Sequence, residues 1–333
     1  MAKGETLLFE VPVRGFFLLD GYRPVRNRFN RNMGYAIDGL LRLADVSLYD
    51  TGGTARTVGT GAGGLCYDVT TSNYMGVPVF MRYGTGTTAP SVTDVNLVNP
   101  DLLQAVHYID TVETATSTQL VLANRWAPDG DKSYMEAGLF YYRLEANYMF
   151  LLARTVFTAA LARSGYTEYF DGYALSLSAN YTRWFARALA ATLSGQDRTQ
   201  ARFRPFTATD GLAYVLQAPR SFAGSPDVMI GSDNTPPSPT DTNLKAPIAS
   251  LASQAQSVEV DTTLQQVRVV RTGTYTPTAN VTLGEIGLFA NLQGYRAGAL
   301  AGRKTLLVRV ALETPVTLYA NTTYTLGIVL VLT

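Results

Sequence analysis

Apolar residues in this chain alternate with polar ones more often than they recur at helical spacing. In the first half, alternation predicts strands over Thr6 to Val13, Phe16 to Leu19, Val77 to Tyr83, Gln119 to Arg125, Ser133 to Tyr142, Phe150 to Phe157 and Gly172 to Ser178. In the second half the same pattern covers Val267 to Arg271, Val281 to Phe289, Thr305 to Leu312 and Thr322 to Leu332. Two segments break the alternation. Met33, Ile37 and Leu41 recur at every fourth residue, as do Tyr181, Phe185 and Leu189, so each predicts a short amphipathic helix. A further short helix is expected after Leu97 and after Leu244. Residues 46–76 are rich in Gly and Thr and read as a long surface loop or extended hairpin arm, outside the core. Ser232 to Thr242, dense in Pro, Asp, Asn and Ser, reads as a turn.

The two halves carry matched landmarks in one order. Gly84 to Leu97 (GTGTTAPSVTDVNL) returns as Gly231 to Leu244 (GSDNTPPSPTDTNL). Glu136-Ala-Gly-Leu-Phe140 then returns as Glu285-Ile-Gly-Leu-Phe289, and Leu151-Leu-Ala-Arg154 as Leu306-Leu-Val-Arg309. This is the signature of a duplicated unit. The predicted fold is mainly β with a few short helices: two tandem antiparallel β-sandwich or barrel-like domains, residues 1–178 and 179–333, each with an associated helix.

Composition narrows the function. Formal net charge is +1, which argues against a protein that coats nucleic acid or collects acidic partners. Only 16% of residues are charged, below the ~25% of an ordinary globular chain, so much of the surface is expected to be covered by neighbouring subunits. A single Cys66 and a single His107 leave no disulfide framework and no histidine site that is assembled twice. The longest apolar stretch, Met149 to Ala162, contains Arg154 and is too short to span a membrane. Glu5, Glu10 and Arg14 interrupt any signal-peptide core, so the product is expected to stay where it is made or to leave inside a particle.

The candidate residues recur with the repeat. Gly84 and Gly231 open a glycine loop that lacks the third glycine of a dinucleotide fingerprint and the Gly-Lys-Ser/Thr of a P-loop, and the second glycine, Gly86, is Asp233 in the later copy. The loop is therefore expected to be a tight turn needing positive φ at glycine, with no nucleotide bound. Asp94 and Asp241 supply too few oxygens for calcium and are expected to cap the helices after Leu97 and Leu244. Glu136 and Glu285 lie in apolar strands, with Arg154 and Arg309 on the next strand, and a cross-strand ion pair is expected in each copy. Arg23, Arg26, Arg28 and Arg31 fall close together without an intervening acid and are candidates for contact with DNA phosphates or an acidic patch of a neighbouring subunit. No catalytic residue, metal or cofactor is expected.

The order Gly84 to Leu97, Glu136 to Phe140, Leu152 to Phe157 resembles a group of bacteriophage structural proteins described as tail, tail-fibre or virion proteins, whose unit is a helix followed by a β-sandwich. Ser232-Asp233 and Val308-Arg309-Val310 depart from that pattern in the second copy. The resemblance implies a virion component, assembled in the host cytoplasm with other virion proteins, and supplies no catalytic residues. The leading expectation is a self-assembling structural protein of the tail: tube, collar or baseplate. The alternatives are a receptor- or glycan-binding fibre or capsid decoration protein, which twenty tyrosines suit, and a glycan-acting enzyme. Duplication with low charge further suggests a homo-oligomer in which three chains form a pseudo-six-fold ring, the copies alternating around it.

Overall fold

A computed structural model describes residues 5–21, 23–59, 79–143, 147–194, 205–217 and 221–333. With 60% strand and two helices among the described residues, the chain is mainly β. The first half comprises β1 (Thr6–Leu19), β2 (Arg23–Arg26), β3 (Arg28–Phe29), helix α1 (Arg31–Arg42), and the hairpin β4 (Val46–Tyr49) and β5 (Ala55–Val58). It continues with β6 (Val79–Gly84), β7 (Pro100–Ala105), β8 (Tyr108–Glu113), β9 (Ser117–Trp126), β10 (Lys132–Arg143), β11 (Tyr148–Arg163) and β12 (Tyr169–Ser178). The second half opens with α2 (Arg183–Ser194) and the hairpin β13 (Pro205–Thr207) and β14 (Ala213–Leu216). Then come β15 (Asp227–Gly231), β16 (Pro247–Ser250), β17 (Ala252–Asp261), β18 (Gln266–Tyr275), β19 (Val281–Arg296), β20 (Ala299–Leu318) and β21 (Tyr324–Leu332).

The halves share one pairing scheme. In the first, β6 pairs β7 and β10, β10 pairs β11, and β9 lies between β8 and β12. In the second, β15 pairs β16 and β19, β19 pairs β20, and β18 lies between β17 and β21. Irregularities recur too: the register slips between Tyr134 and Glu136 and between Leu283 and Glu285, just before the repeated glutamate. Such bulges re-aim the following side chain and bend the strand.

The halves are nevertheless not two separate sandwiches. An eight-stranded sheet runs through both, in the order β17-β18-β21-β1-β12-β9-β8 with β2 beside β1. β1 is one continuous strand where two were expected. Its first part pairs in parallel with β21 and its second part antiparallel with β12. The equivalent strands β12 and β21 therefore flank β1 and run in opposite directions. With about 20–25° of twist between neighbours, their directions differ by roughly 130–140°.

The helices cross between the copies. Asn30 caps α1, accepting from the Asn32 N–H at 3.1 Å, and Leu43 ends it in the left-handed conformation. Asn32 locks the helix to its own half, donating to the carbonyls of Tyr49 (2.9 Å) and Leu151 (3.1 Å). The opposite contact is with the other half: a Cβ on Gly34 would lie 2.4 Å from Val267 Cγ1 of β18 and 3.1 Å from Val258 Cγ1 of β17. Conversely α2 reaches back to the first half, where Arg187 grips Glu113 of β8 at 2.6 and 2.7 Å. Met33 and Ile37 of α1 and Leu189 and Leu193 of α2 line one small apolar void with Leu139 and Leu175, so both helices serve a single core.

Two expected features differ. No helix follows Leu97 or Leu244; each chain segment turns once and enters β7 or β16. Pro100 and Pro247 begin those strands, and the residue before a proline is biased away from helix. The Gly/Thr segment begins as the β4–β5 hairpin, one of the two forms expected, but this part is not outside the core: Val46, Leu48 and Val58 are buried in it; residues 60–78, with Cys66, lie outside the described residues.

Candidate functional site

Each glycine loop folds over the outer face of its sheet and closes on a buried carboxylate. Glu136, fully buried, sits opposite Gly84 in the β6–β10 pair, and Arg154 sits opposite Gly138 in the β10–β11 pair. Arg154 Nε donates to Glu136 Oε2 at 2.9 Å, its Nη1 to Asp94 Oδ2 at 2.8 Å, and its Nη2 to the Thr88 carbonyl at 2.8 Å. Glu136 also accepts the N–H groups of Gly86 (3.0 Å), Asn99 (2.9 Å) and Val98 (3.2 Å). The pair is thus fully hydrogen-bonded, as a buried ion pair must be to survive desolvation. Asp94 accepts the Ser91 N–H at 2.9 Å, which makes it the cap of a turn and the second anion on Arg154, in place of a helix cap.

The second copy repeats the arrangement. Arg309 Nε donates to Glu285 Oε2 at 2.7 Å and its Nη1 to Asp241 Oδ2 at 3.1 Å. Glu285 accepts from the N–H groups of Ala246 (2.7 Å) and Lys245 (3.2 Å), and Asp241 from Ser238 (2.9 Å). Outside each cluster a leucine from the loop seals the face: Leu97 packs with Phe140 and Leu151, and Leu244 with Phe289 and Leu306.

Glycine is needed here for a reason other than positive φ, which Gly84, Gly86 and Gly231 do not adopt. A Cβ on Gly84 would stand 2.5 Å from the Asn99 carbonyl, one on Gly86 2.5 Å from Glu136 Oε1, and one on Gly231 2.4 Å from Glu285 Oε1. The loop backbone has to approach the carboxylate that closely. In the second copy Asp233 replaces Gly86 and the requirement moves to the strand: Gly284 stands where the first copy has Met135, and its Cβ would lie 2.3 Å from the Ser232 carbonyl. Asp233 then becomes a further ligand of Arg309, accepting from Nη2 at 3.0 Å. The added anion is matched by Lys245, at the position of Val98, which pairs with Asp241 at 2.9 Å. Both clusters therefore carry one net negative charge. Hydrogen bonds from the Thr235 hydroxyl and N–H, with the Arg309 charge, hold the Asp233 carboxyl below the usual aspartate range.

A further fully buried anion belongs to the first half alone. Asp171 accepts from Tyr83 Oη and Trp126 Nε1, both at 3.0 Å, from Arg163 Nη2 at 2.7 Å and from the Asp20 N–H at 3.0 Å. Burial, then the adjacent Asp171 charge, pushes the Tyr83 phenol well above its ordinary value. Asp171 and Arg163 carry no signal in the sequence because they have no counterpart in the second copy.

The four arginines of the basic run are not one patch. Arg23 lies 3.8 Å from Asp20, and the Arg31 guanidinium stacks over Tyr49 at 3.5 Å from the ring centre. Arg28 Nη1 donates to the Gln265 carbonyl at 2.9 Å. Arg26 and Arg28 together line a cleft of about 300 Å³. His107 is exposed, and its backbone N–H donates to the Ala123 carbonyl at 2.9 Å. Among the described residues no helix is long and apolar enough to cross a membrane, and no group of three or more His, Cys, Asp and Glu is placed to hold a metal ion. No protein-family model, curated protein or solved structure matches this chain.

Proposed function

We propose that this protein is a non-enzymatic, self-assembling structural component of a virus particle, and that its place is the phage tail, as tube, collar or baseplate. The observation that carries the reading is how the charged residues are used. In both copies the repeated carboxylates are spent on clasping a loop to a sheet. They are buried and saturated with backbone N–H groups and arginine, an arrangement that builds rigid surface and leaves no group free to take or give a proton. A doubled unit with one continuous sheet and crossed helices presents two related faces on a stiff body, which suits a building block. The motif resemblance to phage structural proteins agrees with this, and it implies assembly with further copies and with other virion proteins.

A receptor-binding role is the second reading, favoured by the turn before β12, where Tyr166 is 83% exposed, and by the start of that strand, where Phe170 is also exposed. Mass photometry and negative-stain imaging of the purified full chain separate the two. Closed rings, tubes or larger ordered assemblies are expected. A chain that stays monomeric at high concentration and binds immobilised glycan overturns the structural reading in favour of the second.

A further inference from the structure

The cleft of about 300 Å³ lies where the two copies meet. One wall is the extended segment of Arg26 and Arg28, with Thr155 and Pro90 beside it; the other is the β17–β18 hairpin tip of the second half, with Leu264, Gln265 and Gln266. Thr333 also borders it, its N–H bound to the Val13 carbonyl at 3.1 Å. Alternation along the extended segment sends Arg26 and Arg28 to one side and Asn27 to the other, where its Nδ2 donates to the buried Tyr173 hydroxyl at 3.1 Å. The hairpin is pinned across the junction by Arg28 to the Gln265 carbonyl (2.9 Å) and by the Val92 N–H to Gln265 Oε1 (3.1 Å). Arg28 is thereby held in place, while Arg26 has no side-chain partner among the described residues and no carboxylate side chain lines the cleft. Two arginines thus line a space whose lining residues include no aspartate or glutamate.

The duplication provides an internal comparison. The positions equivalent to Arg26, Arg28, Thr155 and Val156 are Ser178, Asn180, Val310 and Ala311. The register supports this alignment: Arg28 lies opposite Arg154 in the β3–β11 pair, and the Arg309 N–H donates to the Asn180 carbonyl at 2.7 Å. The fold therefore tolerates uncharged residues at both sites, and the cations are present in one copy only. Packing of the repeated unit does not require them.

We propose that this cleft binds an acidic peptide segment of a partner protein, with an aspartate or glutamate carboxylate held between Arg26 and Arg28. Guanidinium groups match carboxylates in geometry and give charge-assisted hydrogen bonds. The glutamine amides of the hairpin and the apolar surface of Leu264, Pro90 and Val156 suit a peptide backbone and its neighbouring side chains. Nucleic acid fits less well: a polyanion with a charge every few ångströms needs a basic track, and Arg23 and Arg31 are engaged elsewhere. The inference rests on the assembly reading only for the source of the segment, a neighbouring protein in the particle.

Fluorescence anisotropy of the full chain with a labelled hexaglutamate peptide at low salt tests it. Saturable binding is expected, and R26S and R28N, which install the residues of the other copy, should each raise Kd by about tenfold or more, while R23S changes it by less than about twofold. R28N also removes the bond to Gln265, so R26S, whose side chain has no such role, carries the test if R28N unfolds. Absence of saturable binding, an unchanged Kd in R26S, or tighter binding of a labelled single-stranded DNA of equal charge overturns the proposal. Peptide binding is measured on the isolated chain, so its failure is separate from a failure to form assemblies.

Discussion

Glu136 holds three backbone N–H groups besides Arg154, so altering the pair also disturbs the loop above it. Removing one member of an ordinary buried ion pair costs about 3–5 kcal/mol, and replacing both by apolar residues often restores stability. Here E136L/R154M would leave the loop donors of Gly86, Val98 and Asn99 without acceptors, at about 1–3 kcal/mol for each that stays buried. The double variant is therefore expected to remain destabilised by several times the error of a urea titration. Recovery to wild-type stability would show that the pair is not the clasp of the loop. At the equivalent site in the second copy, Asp233 adds a pH dependence. Its folded-state pKa is depressed, so its contribution is present above the unfolded value of about 4 and lost as pH falls through the lower folded value. D233N should thus have a lower urea midpoint than wild type near neutral pH, with the gap closing in acid below that value. A gap independent of pH would remove Asp233 from the cluster's energetics.

Gly34 lets α1 approach the other copy's β17 and β18 more closely than a side chain would allow. Its counterpart in α2 is Ala186, fully buried yet accommodated, so the two crossings are not equally tight. G34A should cost about 1–3 kcal/mol through overpacking against Val267, despite the better helix propensity of alanine. Equal or greater stability of G34A in thermal unfolding would mean the helix has slack at that crossing. The helices themselves are legible from the fourfold spacing of Met33, Ile37 and Leu41 and of Phe185 and Leu189, although Tyr181, expected in the second helix, instead bridges to Val308 before α2 begins at Arg183. So are most central strands and the partnership of Glu136 with Arg154 and of Glu285 with Arg309, since buried charges in matched strands demand one another. The edge strands β7, β8, β16 and β17 are not. β17 has few strongly apolar residues, because most of its side chains are at least partly exposed. The helix expected after Leu97 does not form because Leu97 is used to seal Phe140 and Leu151, a tertiary role with no local period. The β1–β21 pairing is also invisible in the sequence, since its partners come from opposite ends of the chain and neither strand encodes the other's direction.

At the scale of the whole molecule, duplication has produced an interlocked pair. The first half supplies α1 to the β17–β18 surface and takes α2 onto β8 and β9, while β1 needs β21 along its first part and β12 along its second. A fragment of residues 1–178 would expose one side of α1, the face of β8 and β9 beneath α2, and the unpaired first part of β1, an edge prone to association. A fragment of residues 179–333 would expose the opposite faces. Neither half has a closed core, because Met33 and Ile37 share theirs with Leu189 and Leu193. Expressed separately, the fragments are expected to be insoluble or to associate with themselves, each copy standing in for its absent counterpart. Expressed together, they should form a one-to-one complex with the circular-dichroism spectrum of the intact chain, recovered by affinity purification through a tag on either half. The covalent link then acts mainly by raising the effective concentration of one half around the other. A soluble, monomeric 1–178 fragment that unfolds cooperatively would show instead that the halves are independent domains that merely touch.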